Sequence, residues 1–203
     1  MNFSANKNIE SLNNPEYKFL VSLKKNRNRK SSNKSISEGF RECYKLLDSN
    51  YEIDTLYFCS DLFIGENNKD LLDECEQENI RIVKVSEKVF KAMSYRDRPD
   101  GFIAVFNTRD LSLPDKINGP ILIPDQIEKP GNLGTMIRTA KSFGINNIFL
   151  SDEITDIFNP NVIRASIGHV FNMNIWSSSN NKIRDFLNSN NYQILLLDPE
   201  GEE

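Results

Sequence analysis

The residues best equipped for chemistry crowd into one stretch, KPGNLGTMIRTAKSFG, residues 129–144. It follows an apolar strand-like run, ILI, and a Pro124–Asp125 turn. Pro130 and Gly131 shape a second turn, and Asn132 is suited to cap the helix that follows, its side-chain oxygen accepting from the first free amides. Gly134 lies in the first turn, where glycine costs about 1 kcal/mol of helix propensity relative to alanine, so something is expected to approach the backbone there. Arg138, four residues further, falls on the same helix face as Gly134, while Met136, Ile137 and Ala140 point toward a sheet. A guanidinium above a glycine-floored patch at the carboxyl end of a strand is a seat for a phosphate or a ribose. The glycine spacing is neither G-x-G-x-x-G nor a P-loop, which needs G-K-[ST], and this disfavours a Rossmann-type nucleotide domain.

The elements that must position this stretch follow from the hydrophobic pattern. The 203 residues are 38% hydrophobic and 27% charged, values of a globular chain with a buried core. No run approaches the ~20 apolar residues of a membrane span. The polar start MNFSANKNIESLNN lacks the basic end and apolar centre of a signal peptide, which implies a cytoplasmic protein. Cys43, Cys59 and Cys75 are scattered, without a C-x-x-C pair, so neither a disulfide framework nor a metal site is encoded. His169, the single histidine, stands beside apolar Val170 and Phe171 and reads as a structural or surface residue.

Helix-like and strand-like segments alternate. FRECYKLL carries Phe40, Cys43, Tyr44 and Leu47 at helical spacing, followed by IDTLYFC, NKDLLDECEQEN, IRIVKVS, EKVFKAMS and GFIAVFN. These predict an α/β domain over residues 36–108, a Pro/Asp/Asn/Gly linker over 109–119, and a second α/β unit over 120–203 with a parallel sheet. In that second unit a helix is expected from Asn132 to Phe143 and a last strand at YQILLLD.

The net charge of −4 hides an uneven distribution. From Tyr17 to Ser37 there are seven basic residues and no acid. Residues 1–35 thus read as a basic arm, in which Lys24, Lys25, Arg27, Arg29 and Lys30 are candidates to neutralise nucleic-acid phosphates or simply to be solvated. Arg96 and Arg98 either extend that face or sit in a solvated loop.

The string KPGNLGTMIRTAKSFG resembles the first signature motif of the SpoU-type RNA 2′-O-ribose methyltransferases of the SPOUT superfamily. The likeness extends to FNPNVIRASIGHVFNMNI, and ISEGFRECYKLL is similar to the Glu-Gly start of the family's small, ribosomal-protein-like substrate domain. The resemblance implies methyl transfer from S-adenosylmethionine to a ribose 2′-hydroxyl of RNA, with rRNA favoured over tRNA. It places the catalytic arginine at Arg138 and a supporting asparagine at Asn132, bonded to Arg138 or to the backbone. Gly131 and Gly134 then shape the turn, and Arg164 and Ser166 contact RNA phosphate or support the site. It also implies a homodimer for a complete chain. The family's two donor-binding motifs, a Gly-Asn-Glu-Gly-like loop and a Ser-Leu-Asn segment, have no counterpart, so no cofactor-binding residue is assigned and the knot is expected to be missing. A non-catalytic RNA-binding protein, or an inactive fragment lacking the methyl-donor pocket, is the alternative reading.

Overall fold

The computed structural model describes residues 7–66 and 68–197. The first unit is built on a five-stranded mixed sheet in the order β1 (Lys7–Ile9), β4 (Arg81–Val85), β3 (Ile53–Phe58), β5 (Phe102–Asn107), β2 (Lys34–Glu38). The pairs β1–β4 and β3–β4 are parallel, and β5 runs antiparallel to both β3 and β2. Strand β5 shows why both faces are covered: Ile103 and Val105 point to one side, Phe102, Ala104 and Phe106 to the other, and all five are buried. On the first side lie α1 (Pro15–Ser22) and α5 (Glu87–Met93), contributing Leu20, Val89, Phe90 and Met93. On the second lie α3 (Phe40–Leu47) and α4 (Asn68–Gln77), contributing Leu46, Leu71 and Leu72.

Residues expected to form a basic arm are instead part of this domain. After β1, Asn14 caps α1 by accepting from the Glu16 amide at 2.8 Å, and α2 (Asn26–Ser32) leads directly into β2. The apolar residues between the charges decide the outcome: Leu20 and Leu23, three apart, are both fully buried, anchoring the basic segment to the sheet. The part of the expected arm in residues 1–6 lies outside the described residues.

The second unit has a parallel sheet in the order β6 (Ile121–Leu122), β7 (Asn147–Ser151), β8 (Asn174–Ser178). Helices α6 (Pro130–Ser142) and α7 (Pro160–Ala165) cover one face, and α8 (Asn180–Ser189) the other, where Ile183 and Leu187 pack on Phe149. The α6 helix thus starts two residues earlier than expected, at Pro130, whose fixed φ and missing N–H suit the first helical position. The strand expected at YQILLLD does not form over its described residues: the chain from Gln193 to Leu197 has no strand pairing, and Ile194, Leu195, Leu196 and Leu197 are exposed. A strand needs a ladder partner for its amides and carbonyls, and among the described residues none pairs with it.

The two units share one core. Leu133, Ile137 and Ala140 of α6 belong to the same cluster as Cys43, Leu46 and Phe106 of the first unit. Tyr51 meets Phe106, Phe158 and Phe171 edge-on at 5.7, 6.0 and 5.4 Å. Residues 108–120 contain no helix or strand but are tied down: the Arg109 guanidinium lies 4.6 Å over the Tyr51 ring and donates to the Met173 carbonyl at 3.0 Å, and Leu111 accepts from the Ser177 amide at 2.7 Å. Among the described residues no helix is long and apolar enough to cross a membrane. The three cysteines are buried free thiols, burial pushing that of Cys75 up to about 12.

Candidate active site

Helix α6 leaves the carboxyl end of β6 and packs its buried residues, Leu133, Gly134, Ile137 and Ala140, against α7 and the core. Arg138, one turn on from Gly134, stands at the exposed edge of that packed face. Among the described residues its guanidinium makes no ion pair or hydrogen bond, so its donors are available to a ligand.

Gly134 has a different role from the one expected. A Cβ there would sit 2.5 Å from the Ala165 Cβ and 2.8 Å from both the Ser166 amide nitrogen and the Val162 carbonyl oxygen. The group that approaches the backbone is therefore α7, and the glycine serves helix packing rather than a ligand. Gly131 faces open space within a helical turn, so neither its conformation nor its surroundings require glycine.

Asn132 is not the cap, because Lys129 occupies that position and makes no side-chain capping bond. Nor does Asn132 bond Arg138: six residues apart, the two lie about 240° around the helix from each other. Asn132 is exposed in the first turn.

The remaining candidates separate by burial. Ser166 is fully buried and its Oγ donates to the Ile163 carbonyl at 2.9 Å, which removes it from any RNA contact. Arg29 is likewise removed: it is 3% exposed, its Nε and Nη2 lie 2.8 and 2.7 Å from Asp156 Oδ2, and its Nη1 donates to the Leu23 and Lys24 carbonyls. Lys24 is half-buried, donating to the Ser94 carbonyl at 2.8 Å beneath the Tyr95 ring, and burial lowers its pKa. Lys25, Arg27, Lys30 and Arg164 are exposed. Arg96 is committed to the first domain, pairing with Glu42 at 2.9 Å and Asp100 at 3.3 Å and donating to the Glu38 carbonyl at 2.6 Å.

Beside Arg138 the structure gathers His169, read above as a structural or surface residue, with Lys45 and Lys141, which the sequence reading did not single out. His169 opens a 3-10 turn, His169–Asn172, wedged between α3 and α6. Lys45 Nζ of α3 lies 2.9 Å from its Nε2 and 3.2 Å from its Nδ1. Burial lowers the His169 pKa first, and the positive charges of Lys45, Lys141 and Arg138 lower it further. No local signal marks this cluster, because its members come from three elements far apart in the chain.

The carboxyl ends of the parallel strands, where α/β folds bind ligands, are joined by short hydrogen bonds. Ser151 Oγ donates to Asp125 Oδ1 at 2.5 Å and accepts from Asn180 Nδ2 at 3.2 Å. The cavity beside them, lined by Pro124, Leu133, Leu150, Ile154 and Thr155, measures about 10 Å³. A nucleoside-sized methyl donor needs a pocket on the order of 300 Å³ or more, so this cavity by itself does not hold S-adenosylmethionine. A larger cleft of about 690 Å³ lies in the first domain, and its acidic lining of Asp48, Glu52, Asp54, Glu74 and Glu78 does not suit a phosphate.

A mixed-sheet α/β domain joined to a parallel-sheet unit with an exposed, unpaired arginine helix defines the class, a SPOUT-type fold with a substrate domain in front. Residues 119–203 match the SpoU rRNA Methylase family, and residues 14–104 match the MRM3-like substrate binding domain. A segment similar to the SpoU methylases thus follows one similar to the MRM3-like substrate binding domain. It is 30% identical over 171 residues to rRNA methyltransferase 3, mitochondrial, of Xenopus laevis, a match covering 79% of this chain and 39% of that protein. A 23S rRNA (guanosine(2553)-2'-O)-methyltransferase of Bacillus subtilis is 28% identical over 167 residues, 82% of this chain and 63% of that protein. The chain thus spans less than two thirds of the length of either relative. Among solved structures, an AdoMet-bound rRNA methyltransferase from Sinorhizobium meliloti superposes with a TM-score of 0.77 at 25% identity, covering 90% of this chain and 68% of that one. An RNA 2'-O ribose methyltransferase gives 0.75 at 28% identity over 91% of this chain and 70% of that one.

Proposed function

We propose that the protein methylates a ribose 2′-hydroxyl of rRNA, with S-adenosylmethionine as the methyl source and Arg138 as the residue that engages the acceptor. The observation that carries this is the position of Arg138: exposed and unpaired at the edge of the packed face of α6, in the segment matched by the SpoU family. A ribose hydroxyl is a weak nucleophile, and an always-charged guanidinium helps it by orienting the hydroxyl and the neighbouring phosphate and by stabilising negative charge as the proton leaves. Asn132 presents its amide at the amino end of the same helix. Lys25, Arg27, Lys30 and Arg164 contribute sequence-independent contacts to the RNA backbone. The relatives bear methyltransferase names, which disfavours a non-catalytic RNA-binding reading. For the whole protein the reading includes a homodimer in the cytoplasm, checked by light scattering and cell fractionation.

The test is methyl transfer to rRNA from labelled S-adenosylmethionine by the whole protein. Arg138→Ala should lower turnover roughly 100-fold or more, the scale for losing one charge-stabilising donor, with thermal stability unchanged. Turnover retained in that variant overturns the assignment.

A further inference from the structure

The basic cluster around His169 lies where the two domains meet, and the backbone is shaped to put it there. Gly168, which precedes the 3-10 turn, has φ +73°. A Cβ at Gly168 would lie 3.1 Å from the Glu42 Cα and 3.3 Å from the Lys45 Cβ. Only a glycine takes this left-handed conformation while riding so close to α3. The turn is then fastened to both domains: Asn172 donates through Nδ2 to the Asp48 carbonyl at 3.2 Å and accepts through its own carbonyl from Lys141 Nζ at 3.2 Å. Lys45 reaches it from the substrate domain and Lys141 from α6.

The charges so gathered are only partly balanced. Burial lowers the pKa of Lys45 most, Glu42 opposes it, and Arg41 and Lys141 lower it further, so α3 and α6 bring their cations within each other's field. The acid facing Lys45 is Glu42, which is 2% exposed and already paired with Arg96. Like charges held together in a chain of net charge −4 cost free energy unless an anion joins them. Lys141 Nζ also donates to Asn146 Oδ1 at 2.8 Å, which leaves it one donor, and that donor, the remaining ones of Lys45 and those of Arg138 offer N–H groups to an anion, with one histidine able to add a further donor on protonation.

We infer that the domain junction is a backbone-phosphate site for the substrate RNA, built by Lys45 of α3, Lys141 of α6 and His169 between them, and adjoining Arg138. The inference rests on the proposed RNA-directed function and adds to it a defined path, in which one RNA strand crosses from the substrate domain onto the Arg138 helix. The phosphate held at the junction fixes the register of the strand, so that the neighbouring ribose arrives at Arg138.

The experiment is fluorescence anisotropy of this chain with a labelled single-stranded RNA oligonucleotide across a range of salt concentrations. Lys45→Ala and Lys141→Ala should each weaken binding roughly three- to tenfold and reduce the slope of log affinity against log salt by about 0.7 to 1, the signature of one lost phosphate contact. Lys45→Arg should restore most of both. Lys91→Ala, on α5 and paired with Glu87, should leave both unchanged. As a readout that misfolding would not mimic, the His169 ring signals should titrate at higher pH when RNA is bound, because the phosphate offsets the surrounding cations. Wild-type-like affinity and slope in both alanine variants, or an unmoved His169 titration, overturns the junction site and leaves the RNA reading standing. Failure of the wild-type chain to bind RNA even at low salt overturns both.

Discussion

Arg29 and Asp156, 127 residues apart, form a buried ion pair that joins the substrate domain to the parallel-sheet unit. Each partner is otherwise satisfied: Arg29 donates to two backbone carbonyls, and Asp156 Oδ1 accepts from the Phe158 amide at 2.9 Å. Close by, Ser35 Oγ donates to the Phe158 carbonyl at 2.6 Å, so α2 and β2 hold the same loop. Removing one partner strands a desolvated charge, whereas removing both does not. Arg29→Met should therefore destabilise the chain by about 3–5 kcal/mol, and Arg29→Met with Asp156→Leu by much less. Urea unfolding of the two variants checks this, and equal losses would mean that the pair is not what joins the units.

Gly134 gives the second prediction. An added methyl would collide with backbone atoms of α7 that have no side-chain freedom to move aside. Gly134→Ala should cost about 1–3 kcal/mol through overpacking, despite the helix propensity that alanine gains. Gly131→Ala, three residues earlier and facing open space, should be neutral or slightly stabilising. Thermal melts of the pair discriminate packing from propensity, since a propensity effect alone would make both variants more stable.

The same two glycines show how far the sequence carries. Both stand in one motif, and residue spacing assigns them one purpose; only the crossing of α7 over Gly134 separates them. Local pattern was sufficient for most helices and strands, because each buries a face whose period is written in consecutive residues. It failed for the basic segment, where the burial of Leu20 and Leu23 outweighed the surrounding charge, and for Arg29 and Ser166, whose partners lie in remote or unforeseen geometry. The exposure of Arg138 was legible because the apolar period of α6 leaves its position outside the buried stripe. The Lys45–Lys141–His169 cluster was not, because it exists only once α3, α6 and the 3-10 turn are packed together.

Glu16 ties the basic segment to the sheet. It accepts from Arg81 at 2.9 and 3.1 Å, from Lys7 at 2.7 Å and from the Tyr57 hydroxyl at 3.2 Å. The Arg81 hydrogen bonds, foremost, hold its pKa down at about 2 against an ordinary value of 4.5. A carboxylate depressed by folding stabilises the native state above its unfolded pKa and loses that contribution as pH falls through the folded one. The stability difference between wild type and Glu16→Gln should therefore be full above about pH 5, shrink as pH falls from there toward 2, and be gone below that. Denaturant titrations at several pH values measure it. A difference that does not vary with pH would show that Glu16 acts through packing instead.

His169 responds in the opposite chemical sense but with the same dependence on pH. Burial, and then the charges of Lys45, Lys141 and Arg138, place its pKa below the ordinary value of 6.5, so the unfolded chain binds a proton more readily than the folded one. Stability then rises with pH through this window, since the unfolded state carries more bound protons, and falls on acidification below about pH 7. Burial raises the pKa of Glu153 as well, and it does so in any His169 variant. The informative quantity is therefore the difference between wild type and His169→Gln, which should change between about pH 7.5 and the depressed pKa and stay flat above about pH 7.5. Because the chain has a single histidine, its ring signals report the same titration directly by NMR. Lys45→Ala should move that titration upward, toward the ordinary value, by removing the nearest of the three cations. An unmoved titration in Lys45→Ala would mean that burial alone depresses His169 and that the ammonium 2.9 Å away does not govern it.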